Sequence, residues 1–123
     1  MKKEQTFSTE WGGKTLTISV GKYANQANGA CLVQYGETVV MATAYVREGV
    51  HFFPLMVDFE EKMYAAGRIK GSRFMKREGR PTDEAVLTAR YIDRALRPLF
   101  DSRIRNDIQV VVTCLAFDGE NDP

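Results

Sequence analysis

The spacing of apolar and polar positions predicts a β-rich first half and one amphipathic helix. Residues 14–20, KTLTISV, alternate strictly. Leu16, Ile18 and Val20 share one side, and Thr15, Thr17 and Ser19 the other, the period of a half-buried strand. Trp11-Gly12-Gly13 supplies a turn before it, so Thr6–Glu10 and residues 14–20 are predicted to pair as a hairpin. Ala30–Tyr35 and Thr38–Val46 are two further apolar, β-branched runs separated by Gly36-Glu37. A two-residue loop with glycine first is the signature of a type II′ hairpin. The second of these runs, TVVMATAYV, is nearly continuous in apolar and small residues, which predicts a central strand covered on both faces. Phe53–Phe59 is a further predicted strand, with Pro54 near its start, where a missing N–H is tolerated.

The pattern then changes. Residues 67–81 hold Gly67, Gly71 and Gly79 among basic side chains and end at Pro81, which predicts a loop. Thr82 follows as a helix N-cap, with Asp83 and Glu84 in the first turn, where carboxylates meet the positive end of the helix dipole. The helix is predicted from Asp83 to about Arg97, because the residue before Pro98 disfavours the helical region. Ile108–Phe117 is a last strand. Asp118-Gly119 is a turn, and Asn121-Asp122-Pro123 has the form of a helix start, a capping side chain followed by proline. A chain that stops where a helix begins reads as part of a longer one.

Composition narrows the class. The 123 residues are 44% hydrophobic and 27% charged, which suits one globular domain or part of one. No apolar stretch approaches the roughly 18 residues of a membrane span, and no apolar segment follows Lys2 and Lys3 to make a secretory signal. Cys31 and Cys114 are 83 positions apart within apolar runs, without metal or redox spacing. They read as buried, reduced thiols of a cytosolic protein.

The net charge of +1 conceals a basic middle. Residues 1–67 carry 6 basic and 7 acidic side chains, residues 68–105 carry 11 and 5, and residues 106–123 carry none and 4. A concentrated basic segment suits an anionic partner, either a phosphate-bearing ligand or nucleic acid. Two groups of residues carry that charge. On the predicted helix, Arg90, Arg94 and Arg97 fall within about 60° of one another at 100° per residue. Ala85, Ala89, Ile92, Leu96 and Leu99 gather on the opposite side as the core stripe. A row of guanidiniums can bind phosphate oxygens bidentately. The competing reading is a solvated face holding an ordinary ion pair, with Asp93 as a partner, but three arginines with no lysine and few balancing acids favour a ligand.

The loop before the helix is the second group. Six of residues 68–81 are basic and one is acidic, with Phe74 and Met75 among them. Basic groups for phosphates beside an aromatic for a base is the pattern of single-stranded nucleic acid binding. The competing reading has Phe74 tucked beneath its own loop. His51 has no evident partner and reads as a surface residue. Asp58, Glu60 and Glu61 follow a strand and read as solvated acids rather than metal ligands. Residues 21–30 contain glycines without a nucleotide-binding spacing. No nucleophile, general base or metal cluster stands out.

Three stretches carry a resemblance: Ala65-Ala66-Gly67-Arg68-Ile69, Arg77-Glu78-Gly79-Arg80-Pro81, and Leu87-Thr88-Ala89-Arg90 through Asp93-Arg94 to Arg97-Pro98-Leu99-Phe100. Together with the opening hairpins and the closing Asp118-Gly119-Glu120-Asn121-Asp122-Pro123, they resemble the bacterial polynucleotide phosphorylase family. The resemblance covers residues 1–123 and lies in the N-terminal part of that family's first ribonuclease PH-like core domain. It implies an α+β fold of ribonuclease PH type, a mixed sheet with packed helices, here truncated before the domain is complete. It also implies 3′-to-5′ phosphorolysis of single-stranded RNA to nucleoside diphosphates, reversible as polymerisation, in a cytoplasmic homotrimer that can join an RNA-degradation complex.

The family's channel loop maps onto Arg73, Phe74, Met75, Lys76 and Arg77, one residue longer and with Met75 at one aromatic position. Arg80, Arg90, Arg94 and Arg97 match arginines that the family uses for RNA or phosphate. Inorganic phosphate is the implied co-substrate. Magnesium is the implied metal, with its ligands and the phosphate-binding serine in the second core domain, so no catalytic or metal residue is assigned here and the 123 residues alone are expected to be inactive. The alternative of a different class is a non-catalytic RNA-binding subunit or module of an exosome-like ring.

Overall fold

The computed structural model describes residues 3–49, 55–68, 81–120 and 123. Six strands form one sheet: β1 (Gln5–Trp11), β2 (Lys14–Val20), β3 (Gly29–Tyr35), β4 (Thr38–Gly49), β5 (Leu55–Glu61) and β6 (Asn106–Ala116). Helix α1 spans Asp83–Leu96, and short 3₁₀ turns occupy Met63–Ala66 and Arg97–Leu99. The six predicted strands and the predicted helix are present, β4 being three residues longer than expected and the fifth strand extending past Phe59 to Glu61. Phe53 and Pro54 at its predicted start, and Asn121 and Asp122 of the predicted helix start, lie outside the described residues.

The strand order is β1-β2-β3-β4-β6-β5. Neighbours are antiparallel except β5 and β6, which are parallel. A parallel pair needs a crossover, and the segment carrying α1 provides it. β6 therefore inserts between β4 and β5, and the sheet is mixed, as an α+β fold of this type requires.

Both hairpins follow their turn residues. Gly12 and Gly13 have φ of 59° and 81°, letting Trp11 pair directly with Lys14. Gly36 has φ of 61° while Glu37 stays at negative φ, the arrangement of a type II′ turn. The end of β6 ties onto that second turn. The Glu37 N–H donates to Asp118 Oδ2 at 3.1 Å, and the hydroxyl of buried Thr38 donates to Asp118 Oδ1 at 3.1 Å.

The core lies where α1 crosses the sheet. Leu55 and Phe59 of β5, Ile108, Val110, Val112 and Cys114 of β6, and Ala85 and Ala89 of α1 are the buried apolar residues. Cross-strand register explains its limits. Phe7 pairs with Ile18, Ile18 with Val33, Val33 with Val40, and Val40 with Cys114, so these five form one row on one face. Along that row exposure rises from 4% at Cys114 to 36% at Ile18 and 59% at Phe7. The helix shelters one end of the row only. β4 is thus central, as expected, but not covered on both faces: its residues beyond Thr38 are half-buried or exposed.

The helix stripe needs one correction. Ala85, Ala89, Ile92 and Leu96 face the sheet, but Leu99 is 79% exposed. The α-helix ends at Leu96 and tightens into a 3₁₀ turn at Arg97-Pro98-Leu99, so a 100° rotation no longer places Leu99.

The two thiols also differ. Both are free, but only Cys114 is buried and Cys31 is half-buried. Burial, helped by the nearby Glu61 carboxylate, pushes the Cys114 thiol up from its ordinary range. Since the thiolate is the nucleophile, iodoacetamide at pH 8 should label Cys31 several-fold faster than Cys114. Equal rates by mass spectrometry would contradict this packing. The raised folded pKa also means that the unfolded chain loses this proton first as pH rises. Stability should therefore fall with pH above the ordinary thiol range, and Cys114→Ala should flatten that slope.

Candidate functional site

The arginine row stands on α1, whose start is set locally. The Thr82 side chain accepts the Ala85 N–H at 3.1 Å, and Asp83 and Glu84 occupy the first turn. The Thr82 hydroxyl also donates to Glu61 Oε2 at 3.4 Å, joining the cap to the end of β5. With Ala85 and Ala89 buried against the sheet, the opposite side of the helix faces outward. Two small residues at the contact let the helix sit close to β5.

Arg90, Arg94 and Arg97 line one open hollow of about 550 Å³ together with Asp93 and Pro98. A smaller hollow of about 210 Å³ is lined by Val57, Asp58, Phe59, Pro81, Val86, Ala89, Arg90 and Asp93. Arg90 and Asp93 belong to both, so the two depressions meet on this side of the helix.

The three arginines are not equivalent. Arg97 Nε donates to Asp93 Oδ1 at 2.9 Å and its Nη2 to Asp93 Oδ2 at 3.0 Å. Nη2 also reaches the Leu55 carbonyl at 3.4 Å, at the start of β5. Donation to Asp93 pushes the Arg97 guanidinium further up from its ordinary value, so its charge is permanent. Arg90 and Arg94 are exposed and have no ion pair or side-chain hydrogen bond among the described residues. The two readings of the row therefore divide by residue. Arg97 makes the intrahelical ion pair with Asp93, and Arg90 and Arg94 present guanidiniums beside it that have no partner among the described residues.

Part of the remaining basic charge is engaged within the chain. Arg103 forms a bidentate pair with Asp101, at 2.8 Å for Nη2 to Oδ2, which holds that carboxyl below its usual range. Arg105 Nη1 donates to the carbonyls of Ser102 and Ile104 at 2.6 and 2.9 Å. The channel-loop residues Arg73, Phe74, Met75, Lys76 and Arg77, together with Arg80, lie outside the described residues, as does His51.

The acids of β5 are accounted for. Asp58 accepts from Gln109 at 3.4 Å, Glu60 pairs with Lys62 at 3.4 Å, and Glu61 accepts from Thr82. Asp58 and Glu60 point to one face of the sheet and Glu61 to the other, since the strand alternates. They lie on β5 rather than after it. Among the described residues no group of three His, Cys, Asp or Glu side chains could hold a metal ion. The sequence pattern did not single out Leu87 and Tyr91. Both are exposed large apolar residues on α1, outside the core stripe. Their positions within about 60° of Arg94 on the helical wheel are the signal that would have marked them.

A mixed six-stranded sheet with one crossover helix is an α+β architecture, and here it presents a cationic outer helix face. The profile of the 3′ exoribonuclease family, domain 1, matches residues 12–123, and the chain belongs to that family. Over 98% of its length it is 55% identical to the polyribonucleotide nucleotidyltransferase of Exiguobacterium sibiricum, of which it spans 16%. It is 56% identical over 94% of its length to the enzyme of the same name from Roseiflexus sp., and 52% identical over 99% to that of Hyphomonas neptunium, spanning 16% and 18% of those chains. The chain thus spans about a sixth of the length of these relatives. Among solved structures, a chain of the Archaeoglobus fulgidus exosome with RNA bound to the active site matches with a TM-score of 0.59. That match covers 97% of this chain and 45% of the other at 16% identity, and it shows the shared fold.

Proposed function

We propose that these residues are the N-terminal part of the first core domain of a polyribonucleotide nucleotidyltransferase. In this reading the parent protein degrades single-stranded RNA from its 3′ end. Inorganic phosphate attacks the terminal phosphodiester, the bond to the preceding 3′ oxygen breaks, and a nucleoside diphosphate leaves. The reverse step adds a nucleotide and releases phosphate. The observation that carries the proposal is the pair of exposed guanidiniums, Arg90 and Arg94, which have no partner among the described residues and stand beside Arg97 on one helix face. Identity of about 55% to relatives of that name supports it.

The role of this segment is electrostatic. The ground state is polyanionic, and charge gathers on the phosphoryl oxygens as the phosphodiester is cleaved. Arg97, held by Asp93, meets that charge with little reorganisation, and Arg90 and Arg94 add mobile positive charge beside it. Arg90, Arg94 and Arg97 are assigned to phosphate groups of the RNA or to the attacking phosphate. Arg73, Phe74, Met75, Lys76, Arg77 and Arg80 are assigned to the RNA strand on its way in. Magnesium, when bound, supplies charge neutralisation at the reacting phosphate, and its ligands are assigned to the second core domain. A homotrimer, a cytoplasmic location and membership of a degradation complex belong to the same proposal. Among the described residues no helix is long and apolar enough to cross a membrane.

The test is phosphate-dependent release of nucleoside diphosphates from single-stranded RNA by the full-length protein, with residues 1–123 alone as the inactive control. RNA binding without phosphorolysis by the full-length protein would favour the non-catalytic ring subunit instead.

The loop has its own expected result. Lys76→Ala with Arg77→Ala should weaken RNA binding for all sequences and lower the slope of log affinity against log salt. On a single strand the slope should drop by about 0.7 for each phosphate that is no longer neutralised. Phe74→Ala should cost about 1–3 kcal/mol of binding with that slope unchanged, as loss of a stacked base would. Unchanged RNA affinity with a lower Tm would assign Phe74 to packing beneath the loop.

A further inference from the structure

We propose that Asp93 is a positioning residue of the arginine site. In this proposal its carboxylate fixes the Arg97 guanidinium by one edge and leaves the Nη1 group to meet a phosphate oxygen. The inference rests on the reading of Arg90, Arg94 and Arg97 as phosphate contacts.

The geometry is specific. A guanidinium has two edges that can each make a parallel pair of hydrogen bonds, one from Nε and Nη2 and one from Nη1 and Nη2. Asp93 takes the first edge with both carboxylate oxygens, at 2.9 and 3.0 Å. The Leu55 carbonyl takes a further share of Nη2 at 3.4 Å. Nη2 thus gives one N–H to a helix residue one turn back and its other N–H, on the second edge, to the first residue of β5, which leaves the two N–H groups of Nη1. Nη1 has no hydrogen-bond partner among the described residues, and Arg97 lines the hollow that Arg90 and Arg94 share. A long, rotamer-rich side chain is held at two points of the scaffold before any ligand arrives. The cost of ordering it is then met on folding rather than on binding.

Asp93 also sets the charge of the hollow. Three guanidiniums and one carboxylate line it, so the lining carries a net charge of +2 rather than +3. Its presence therefore weakens the long-range attraction for a polyanion while improving the geometry of one contact. An ion pair kept only for helix stability would share the effect on long-range attraction, which follows from charge alone, but would show no effect on the geometry of the contact. The carboxylate is only partly exposed, at 26%, and the guanidinium is half-exposed at 49%, so solvent screens the pair and its contribution to stability is small.

These opposed effects give a test in the full-length protein. Asp93→Asn keeps the shape and removes the charge. RNA binding at low salt should be unchanged or tighter and its salt dependence steeper. The kcat of phosphorolysis should fall roughly tenfold or more, because a loosely held guanidinium is misplaced by the order of an ångström. Asp93→Glu should recover part of that loss. In an Arg97→Lys background, which has no fork to hold, Asp93→Asn should change kcat by less than about twofold. Separate KM values for RNA and for inorganic phosphate identify which phosphate Nη1 meets, the affected substrate being the one it contacts.

An equal fall in kcat from Asp93→Asn in both backgrounds would overturn the proposal. So would a fall in Tm with kcat and both KM values unchanged. Loss of activity in Arg90→Ala and Arg94→Ala with none in Asp93→Asn would sink this inference alone. Full activity in all the arginine variants would instead sink the functional reading beneath it.

Discussion

Phe59→Ala should cost about 3–5 kcal/mol of stability, read as a lowered midpoint of denaturant unfolding. Phe59 is 3% exposed on β5 and is the largest side chain in the buried cluster between sheet and helix. The buried helix residues of the cluster are alanines, Ala85 and Ala89, with Ile92 and Leu96 packed at its margin, and Val112 is the register partner of Phe59 on β6. Alanines cannot collapse into the space an aromatic ring leaves, so most of the cavity penalty persists. Ile92→Ala should cost less, near the lower end of about 2–5 kcal/mol, because Ile92 is only partly buried. A Phe59→Ala loss smaller than that of Ile92→Ala would mean that the helix does not rest on β5 in this way. Ala89→Leu should also destabilise, by about 1–3 kcal/mol, since it would push α1 off the strand. Each of these changes moves the element that carries the arginines, so their effects on activity should follow their effects on stability.

Much of this arrangement is legible in the chain because it is local. Alternation in KTLTISV marks β2, Gly36-Glu37 marks the turn between β3 and β4, and Thr82-Asp83-Glu84 marks the start of α1. The 100° rotation per residue places Arg90, Arg94 and Arg97 together and offers Asp93 as an ion-pair partner for the row. What failed is non-local or depends on a change of helix type. Insertion of β6 between β4 and β5 is a choice among pairings that no single strand encodes. The same apolar alternation appears in β2 as in β6, yet α1 covers only the β5–β6 end of the sheet, so Phe7 and Ile18 stay open while Val112 is buried. Leu99 fits the stripe in a continuous α-helix and leaves it once the backbone turns 3₁₀ at Arg97. Asp118 reads as a turn residue, and its grip on Glu37 and Thr38 joins positions about 80 residues apart. The division of labour within the arginine row was not legible either. Helical spacing offers Asp93 both to Arg97 at i,i+4 and to Arg90 at i,i+3; the side-chain geometry alone shows which guanidinium it holds.

That division makes the strongest functional expectation residue-specific. Arg94→Ala in the full-length protein should lower kcat/KM for phosphorolysis by about one to two orders of magnitude, the removal of a charge-assisted hydrogen bond worth about 1.5–3 kcal/mol. Its Tm should barely move, because an exposed side chain with no partner among the described residues contributes within about 0.5 kcal/mol. Arg90→Ala should behave alike. Arg94→Asp should be worse than alanine, since it repels the phosphates besides removing the donor. Arg94→Lys should recover part of the activity, because an ammonium keeps the charge and loses the bidentate fork. Arg97→Ala differs in kind: it also leaves Asp93 without its partner, so a small stability loss, about 0.3–0.5 kcal/mol for an exposed pair one turn apart, should accompany the activity loss. The measurement is a pair of values for each variant, kcat/KM and Tm. If Arg90 and Arg94 variants lose activity only in step with Tm, the outer face of α1 is a structural surface and its guanidiniums do not meet phosphate. If activity falls at constant Tm, and falls further at Arg94→Asp than at Arg94→Ala, the face is an anion-binding one. High salt should then narrow the gap between those two variants, since it screens the repulsion that separates them.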